Sequence, residues 1–508
     1  MHTPSPRKAS RATSTKQVRL AAVCCLLWLG LLAQHALPSN ARASGLTLPT
    51  VGPTNFGVST TGPLSVHYNP AGLGFAKRLR VVLGGDLLIG SIRYQRVRQA
   101  TYQTPDSLDF QLPIDPSTVD ATKTGRDREV KANPIGLVPS IHVESPLGDL
   151  PLAVGFGIDA PYAAIVRWPG AGPQRFQLDD ATLAMVFTSF GVAYKPTDWL
   201  SFGAGVSYVL GYADLKRTQD LAGVSDLGAA LGRPPINQPN GFGQQANPAL
   251  RELDTFARPF AFQNGWASGV TFRAGAMAEV RKNLWLSASY EHSTRLNFRG
   301  SFSLDMNDPF FTQDLASQGL DYPSVVRGKA SLSMTLPKVV RVGIRHAFGR
   351  RVSVDDEPST SVALEGTFTG WSAVENYDVR LRSDGLVQPQ LGLGRTLQLR
   401  LPRDWRNTYG LLVRGSHAFT RKLTMWTAVS GESSAVPNHT IDAASPDGTR
   451  VTASGGLSRQ LFGNFRVILD LTVQKVLNQT ITTSDYDLAN GTYKMLLVSG
   501  GAYADYSF

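Results

Sequence analysis

Cysteine is nearly absent from this chain: the 508 residues hold two, Cys24 and Cys25, side by side in an apolar stretch near the start. If that stretch is removed on export, the mature chain has no disulfide, no thiol nucleophile and no thiolate metal site. Long apolar runs are missing too, since no run of 18 apolar residues occurs beyond the first 43. Helical membrane spans are thereby excluded, though not strands that alternate lipid-facing and lumen-facing side chains. The sequence also lacks a G-x-S-x-G elbow, an H-E-x-x-H pair and closely spaced histidines, which argues against a hydrolase. No catalytic residue, cofactor or metal ligand is expected. Charge of one sign is scarce as well. There are 50 Lys+Arg against 39 Asp+Glu, but six of the basic residues fall in 1–43, leaving 44 against 39 and no case for nucleic acid. No Pro/Ser/Gly linker divides the chain.

What is present begins with an export signal over residues 1–43. Arg7, Lys8, Arg11, Lys16 and Arg19 form a basic n-region, Leu20 to Leu32 an apolar core, and Ala41-Arg42-Ala43 a small-residue cleavage site, predicting cleavage before Ser44. The apolar core is shorter than the roughly 18 to 20 residues of a spanning helix. A lipoprotein reading of Cys24 and Cys25 fails because both lie inside the core rather than after it.

Alternation then dominates. From Leu200 to Tyr212 the residues Leu200, Phe202, Ala204, Val206, Tyr208, Leu210 and Tyr212 share one face, with Ser201, Gly203, Gly205, Ser207 and Gly211 on the other, a period of two. Phe465 to Val473 and Leu284 to Tyr290 repeat it. Tight turns at Pro196-Thr197-Asp198, Arg281-Lys282-Asn283, Thr420-Arg421-Lys422 and Phe462-Gly463-Asn464 trade places with long connections over 100–132, 218–260, 304–326 and 382–405. Outer-membrane barrels show this asymmetry, with short periplasmic turns and longer external loops. Counting gives about fourteen strands, among them 79–99, 134–146, 151–165, 264–281, 328–348, 361–380 and 407–419. The fold class expected is all-β, a transmembrane antiparallel β-barrel. Tyr506 and Phe508, ending an alternating strand, resemble the assembly signal of such barrels.

Two stretches interrupt the pattern. Pro161 in Asp159-Ala160-Pro161-Tyr162 removes an N–H from the ladder and predicts a break in pairing in the third strand, although Pro161 also fits the start of a loop. Leu221, Leu227, Leu231, Leu250, Leu253 and Phe256 are spaced as two short amphipathic helices space them. With Phe310, Phe311 and Leu315 they form either an external apolar groove or the internal packing of the loops.

Asn69-Pro70-Ala71-Gly72-Leu73 on its own reads as a turn. Its companions change that reading. Ser44-Gly45-Leu46, Trp168-Pro169 with Arg175-Phe176-Gln177, Ala193-Tyr194-Lys195 with Trp199-Leu200-Ser201-Phe202-Gly203-Ala204-Gly205, Leu336-Pro337, Trp371-Ser372 and Trp405-Arg406-Asn407-Thr408-Tyr409 follow in order. In this the chain resembles the FadL/TodX family of outer-membrane channels for long-chain fatty acids and other hydrophobic molecules. The resemblance implies a fourteen-stranded barrel over 79–508 and an N-terminal hatch over 44–78 lying in the lumen, with Asn69, Pro70 and Ala71 as its sensitive segment. It further implies a lateral gap at the kink of the third strand, Asp159 to Tyr162, and an external capture groove on the apolar loop residues named above. The stretch Val58 to His67 replaces the small-residue, acidic stretch usual before the motif.

The function so implied is passive uptake of a hydrophobic small molecule by hatch movement and lateral exit. Outer-membrane lipid, lipopolysaccharide and the barrel-assembly machinery would be its partners, and nucleic acid would not. The alternatives are a general porin or purely structural barrel, a lipid-acting outer-membrane enzyme and a soluble secreted β-protein. His142, His292, His346 and His417 fall in expected strands, where lumen or interface positions account for them.

Overall fold

The computed structural model describes residues 47–96, 129–170, 172–220, 257–314, 316, 321–351, 358–389, 393–484 and 489–508. A short α1 (Ser65–Tyr68) and a 3-10 turn (Pro70–Phe75) precede the first strand. The strands are β1 (Arg80–Arg96), β2 (Val130–Ala132), β3 (Ile135–Pro146), β4 (Leu152–Arg167), β5 (Asp180–Thr197), β6 (Leu200–Asp220), β7 (Ala257–Arg281), β8 (Leu284–Glu291), β9 (Thr294–Asp305) and β10 (Val325–Leu336). They continue as β11 (Val339–Arg351), β12 (Pro358–Thr369), β13 (Asn376–Arg382), β14 (Thr396–Pro402), β15 (Thr408–Thr420), β16 (Leu423–Glu432), β17 (Arg450–Phe462), β18 (Phe465–Ile481) and β19 (Gly491–Ser507). Each pairs antiparallel with its neighbours, and β19 returns to β1 from Arg80↔Ser507 to Arg96↔Gly491, closing the sheet into a barrel.

Five spanning strands are broken once, β2/β3, β8/β9, β10/β11, β12/β13 and β14/β15, so the nineteen segments make a fourteen-stranded barrel. Four of the breaks sit side by side, at 292–293, 337–338, 370–375 and 403–407. Pro337, which has no N–H for the ladder, lies in one of them. The stretch 382–405, expected as a loop, includes β14, which pairs with β13 from Asn376↔Pro402 to Arg382↔Thr396. Leu397, Leu399 and Leu401 carry its alternation.

Burial is inverted relative to a water-soluble sheet. Leu83, Ile89, Leu137, Phe190, Phe202, Tyr208, Phe272, Val342, Leu411 and Leu471 are exposed, while Ser201, Ser207, Arg273, Glu291, Arg414 and Asp470 are buried. A ring of outward apolar side chains needs a nonpolar solvent around it, and a bilayer supplies one. Ser201, Gly203, Gly205 and Ser207 therefore face the lumen, not bulk water. Val209 and Ala213, apolar exceptions on that face, are fully buried in the main apolar cluster.

Candidate functional site

The lumen is filled from one end by residues 47–79. Their hydrogen bonds reach strands all round the barrel: Asn69 Nδ2 to Ala276 O on β7 (3.2 Å), Ser201 Oγ of β6 to Ala71 O (2.8 Å) and Ser289 Oγ of β8 to Tyr68 O (2.8 Å). On the other side, Thr54 N donates to Asp470 Oδ2 of β18 (2.8 Å) and Trp426 Nε1 of β16 donates to Thr54 Oγ1 (2.8 Å). A chain bonded to opposite walls lies between them. Asn69 is its pivot, because Oδ1 caps the 3-10 turn by accepting from Ala71 N (3.2 Å) and Nδ2 also donates to Val58 O (3.2 Å). The wall gives way to this packing. A Cβ on Gly275 would stand 2.0 Å from Asn69 Oδ1, and one on Gly203 2.2 Å from Ala71 N.

A carboxylate clamp holds the preceding turn. Glu365 of β12 accepts from Ser59 Oγ (2.6 Å), Ser59 N (3.4 Å) and Val58 N (3.3 Å), and is paired with Arg414 of β15, whose other nitrogen donates to Asn55 O (2.8 Å). Glu365 and Arg414 are both buried. Such a pair is expensive to split, because the survivor stays buried and uncompensated.

The wall changes character at β4. β3 pairs with β4 only from Pro146↔Ala153 to Ile141↔Ile158, whereas β3 stays paired with β1 as far as Ile135. Against β5 the register of β4 slips between Asp159 and Tyr162, and Asp159, Ala160, Pro161 and Tyr162 are buried consecutively where alternation should expose every second one. The exposed edge of β4 meets the N-terminal segment instead of β3. Leu48 N donates to Pro161 O (3.1 Å) and Thr47 bridges to Tyr162. Asp159 Oδ2 lies 3.2 Å from His67 Nδ1 of the N-terminal segment and 3.3 Å from His142 Nε2 of β3, and His142 Nδ1 lies 3.1 Å from Ser140 Oγ. Burial holds the His67 imidazole below the ordinary histidine range against the upward pull of Asp159, with Arg273 and Arg341 adding to the lowering.

Beyond the Asn-Pro-Ala segment the lumen turns apolar and aromatic. Tyr162 meets Phe187 (centroids 6.0 Å) and Trp371 (6.1 Å), and Trp371 packs edge-on against Trp405 (5.0 Å). Trp371 and Trp405 come from adjacent breaks in the wall, where the interrupted ladder lets both rings turn inward. The stretches 168–170, 172–179 and 433–449 fold over this end. Gln177 Oε1 accepts from Ala443 N, and Arg403 donates to Asp442 (3.2 Å). Burial pushes two loop carboxylates up to about 7: Asp179, opposed by Thr218 and Arg175, and Asp447, opposed by Arg450 and by hydrogen bonds from Val436 and Ser434. At the opposite end a vestibule of about 590 Å³ opens among Lys195, Asp198, Arg421, Lys422 and Asn464, too polar for an oily solute.

The structure sets Asn69, Pro70 and Ala71 against β6 and β7, and the N-terminal segment meets the Asp159–Tyr162 kink through Thr47, Leu48 and His67. Phe311 is buried in the aromatic cluster rather than on an open surface. The turn Phe310–Asp314 carries it. Leu221, Leu227, Leu231, Leu250, Leu253, Phe256 and Leu315 lie outside the described residues, as do 1–43. Phe508 N donates to Leu79 O (2.9 Å) and its exposed ring stands edge-on to Tyr506 (4.7 Å). Glu365, Arg414, His67 and the Arg273–Glu291 pair were not singled out from sequence as site residues. Glu365 and Arg414 lie 49 residues apart, and Arg273 meets Glu291 across the β7–β8 hairpin, so the register of the strands rather than any motif brings them together.

Comparison with known proteins gives one consistent result. Residues 37–503 match the family described as outer membrane protein transport protein (OMPP1/FadL/TodX). The long-chain fatty acid transport protein of Escherichia coli K12 is 23% identical over 353 residues, covering 68% of this chain and 72% of that protein. Among solved structures, a Pseudomonas aeruginosa FadL homologue superposes with a TM-score of 0.69 at 20% identity, over 91% of this chain and 100% of the other. The P. putida toluene transporter TodX gives 0.60 at 16% identity, over 89% and 98%. These structural likenesses speak to the fold.

Proposed function

We propose, from the premise that this chain belongs to the outer membrane protein transport protein family (OMPP1/FadL/TodX), that it is a passive channel for hydrophobic molecules such as long-chain fatty acids or aromatic hydrocarbons. Membership places it in the bacterial outer membrane as a β-barrel. Residues 44–78 act as a hatch. A solute captured at the external loops parts the packed aromatic cluster of Tyr162, Phe187, Trp371 and Trp405, and burial there contributes about 0.8 kcal/mol per methylene. Movement of the hatch at Asn69-Pro70-Ala71 then lets it pass sideways through the wall into the bilayer. Lateral exit spares an apolar chain a passage through the charged vestibule. No bond is made or broken, and each step stays reversible.

The observation that carries this reading is the seam between β3 and β4. It ends at Ile141↔Ile158 although both strands continue, and among the described residues Thr47 and Leu48 border the open edge of β4 beside the aromatic cluster.

The test is uptake of labelled oleate and labelled toluene by vesicles carrying the wild type, Asn69→Ala or Pro161→Ala. The reading expects uptake above protein-free vesicles by the wild type and altered rates in both variants. Unchanged rates in both would defeat hatch gating and lateral exit. A large ion conductance without uptake would favour a general porin.

A further inference from the structure

Asp159 stands where three parts of the molecule meet. It belongs to β4 at the kink, His142 belongs to β3 on the far side of the open seam, and His67 belongs to the N-terminal segment inside the lumen. All three side chains are buried, and both imidazoles approach the same oxygen, Oδ2: His142 Nε2 at 3.3 Å in hydrogen-bond geometry, His67 Nδ1 at 3.2 Å without it. Asp159 Oδ1 has no hydrogen-bond partner. Across the lumen, Glu291 of β8 is paired with Arg273 of β7 (3.2 Å) and with Arg341 of β11 (3.3 Å). The histidines aside, two carboxylates face two guanidiniums, and their charges balance.

We propose that His67, set against Asp159 beside His142, is a proton-operated latch that ties the N-terminal segment to the wall break while its imidazole is neutral and lets go when it is protonated. The charges that face His67 decide the direction. Asp159 of β4 attracts an added proton, as does Glu291 of β8. Arg273 of β7 and Arg341 of β11 repel it, and Tyr68, edge-on to His67 at 4.8 Å, contributes no charge. A proton on His67 unbalances the layer.

The linkage follows from the lowered proton affinity of His67 when latched. The latched state binds fewer protons than the released one, so the latch is fully present above the ordinary histidine value of about 6.5 and is lost as pH falls below it. Its consequence for transport rests on the lateral-exit reading, but its test does not.

That test uses the lack of cysteine in the exported chain. Val66, buried with Leu73, Ala153 and Ala193, is replaced by cysteine as a reporter, and labelling of V66C by a water-soluble maleimide is divided by that of the exposed control D198C, which cancels thiol ionisation. The latch predicts that this ratio rises at least ten-fold between pH 7.5 and pH 5.0. With H67Q added, which keeps a neutral donor, the ratio stays low throughout. With D159N added, it is already ten-fold raised at pH 7.5 and flat with pH. Retention of the compact, heat-modifiable barrel band on gels confirms folding of each variant. A ratio insensitive to pH in the V66C parent, or an acid rise that survives H67Q, overturns the latch. Solute uptake is measured separately, so a protein that latches as stated yet carries no hydrophobic solute refutes the channel reading alone.

Discussion

Replacing Gly203 by alanine separates the N-terminal segment from the barrel that holds it. In an isolated strand Gly→Ala stabilises, by about 0.4–1 kcal/mol, by restricting the unfolded chain. Here the added Cβ would stand 2.2 Å from Ala71 N and from Pro70 C, about 1.2 Å inside the 3.4 Å at which ordinary contact begins. The obstruction is backbone, so no side chain can swing away. The segment must retreat, which costs about 1–3 kcal/mol as overpacking. Retreat also breaks the Ser201 Oγ to Ala71 O hydrogen bond (2.8 Å), removing about 0.5–1.5 kcal/mol more. The loss is about 1.5–4.5 kcal/mol, a rise of roughly 12-fold or more in the displaced population at about 1.4 kcal/mol per decade. The V66C labelling ratio reads that population directly. G366A, whose Cβ would meet only Val342 Cγ2 at 3.4 Å, serves as the control. If G203A labels like G366A, the segment does not press against β6 as described and the reasoning fails.

Three further outcomes follow from the same contacts. Glu365→Gln leaves Arg414 buried without its anion and weakens three bonds to Val58 and Ser59, so the folded protein should lose about 3 kcal/mol in denaturant unfolding; a change under about 0.5 kcal/mol contradicts the clamp. Asp447, raised from 3.8 to about 7 by burial, binds its proton more tightly in the folded loop, so the 433–449 cap is most stable below about pH 4 and loosens as pH rises through 7. Trypsin should therefore cut at Arg450 faster at pH 8.5 than at pH 5.5 beyond the enzyme's own pH dependence, and Asp447→Asn should abolish that difference. Deleting Phe508 should cut the yield of assembled barrel several-fold without changing expression, if the Tyr506–Phe508 end is an assembly signal; equal yields of the two chains count against it.

Much of the barrel was legible because period two is a local property. Leu200 to Tyr212 revealed both faces of β6, and the tight turns at Asn283 and Gly463, both with positive φ, marked one rim. The solvent of each face was harder to read. Gly203 and Ser201 alternate as a water-facing row would, and only the chain packed against them shows that they face a plug. Trp371 and Trp405 stood out in sequence, but the breaks that turn them inward erase the alternation that would have shown it. β14 was missed because its exposed flanks, Gln398 and Arg400, resemble loop composition. His67 and Asp159 are separated by most of three strands and a hatch, and no pattern along the chain records their meeting.

The central claim, lateral exit at the third strand, is tested most directly by deleting Pro161. The slip between Asp159 and Tyr162 is one residue, so the deletion restores a continuous register with β5 and removes the residue that cannot donate to a ladder. The β3–β4 seam can then close past Ile141↔Ile158. Uptake of labelled oleate into vesicles carrying this variant should fall to the level of protein-free vesicles while the barrel stays folded. Uptake at the wild-type rate through the sealed wall would contradict the account.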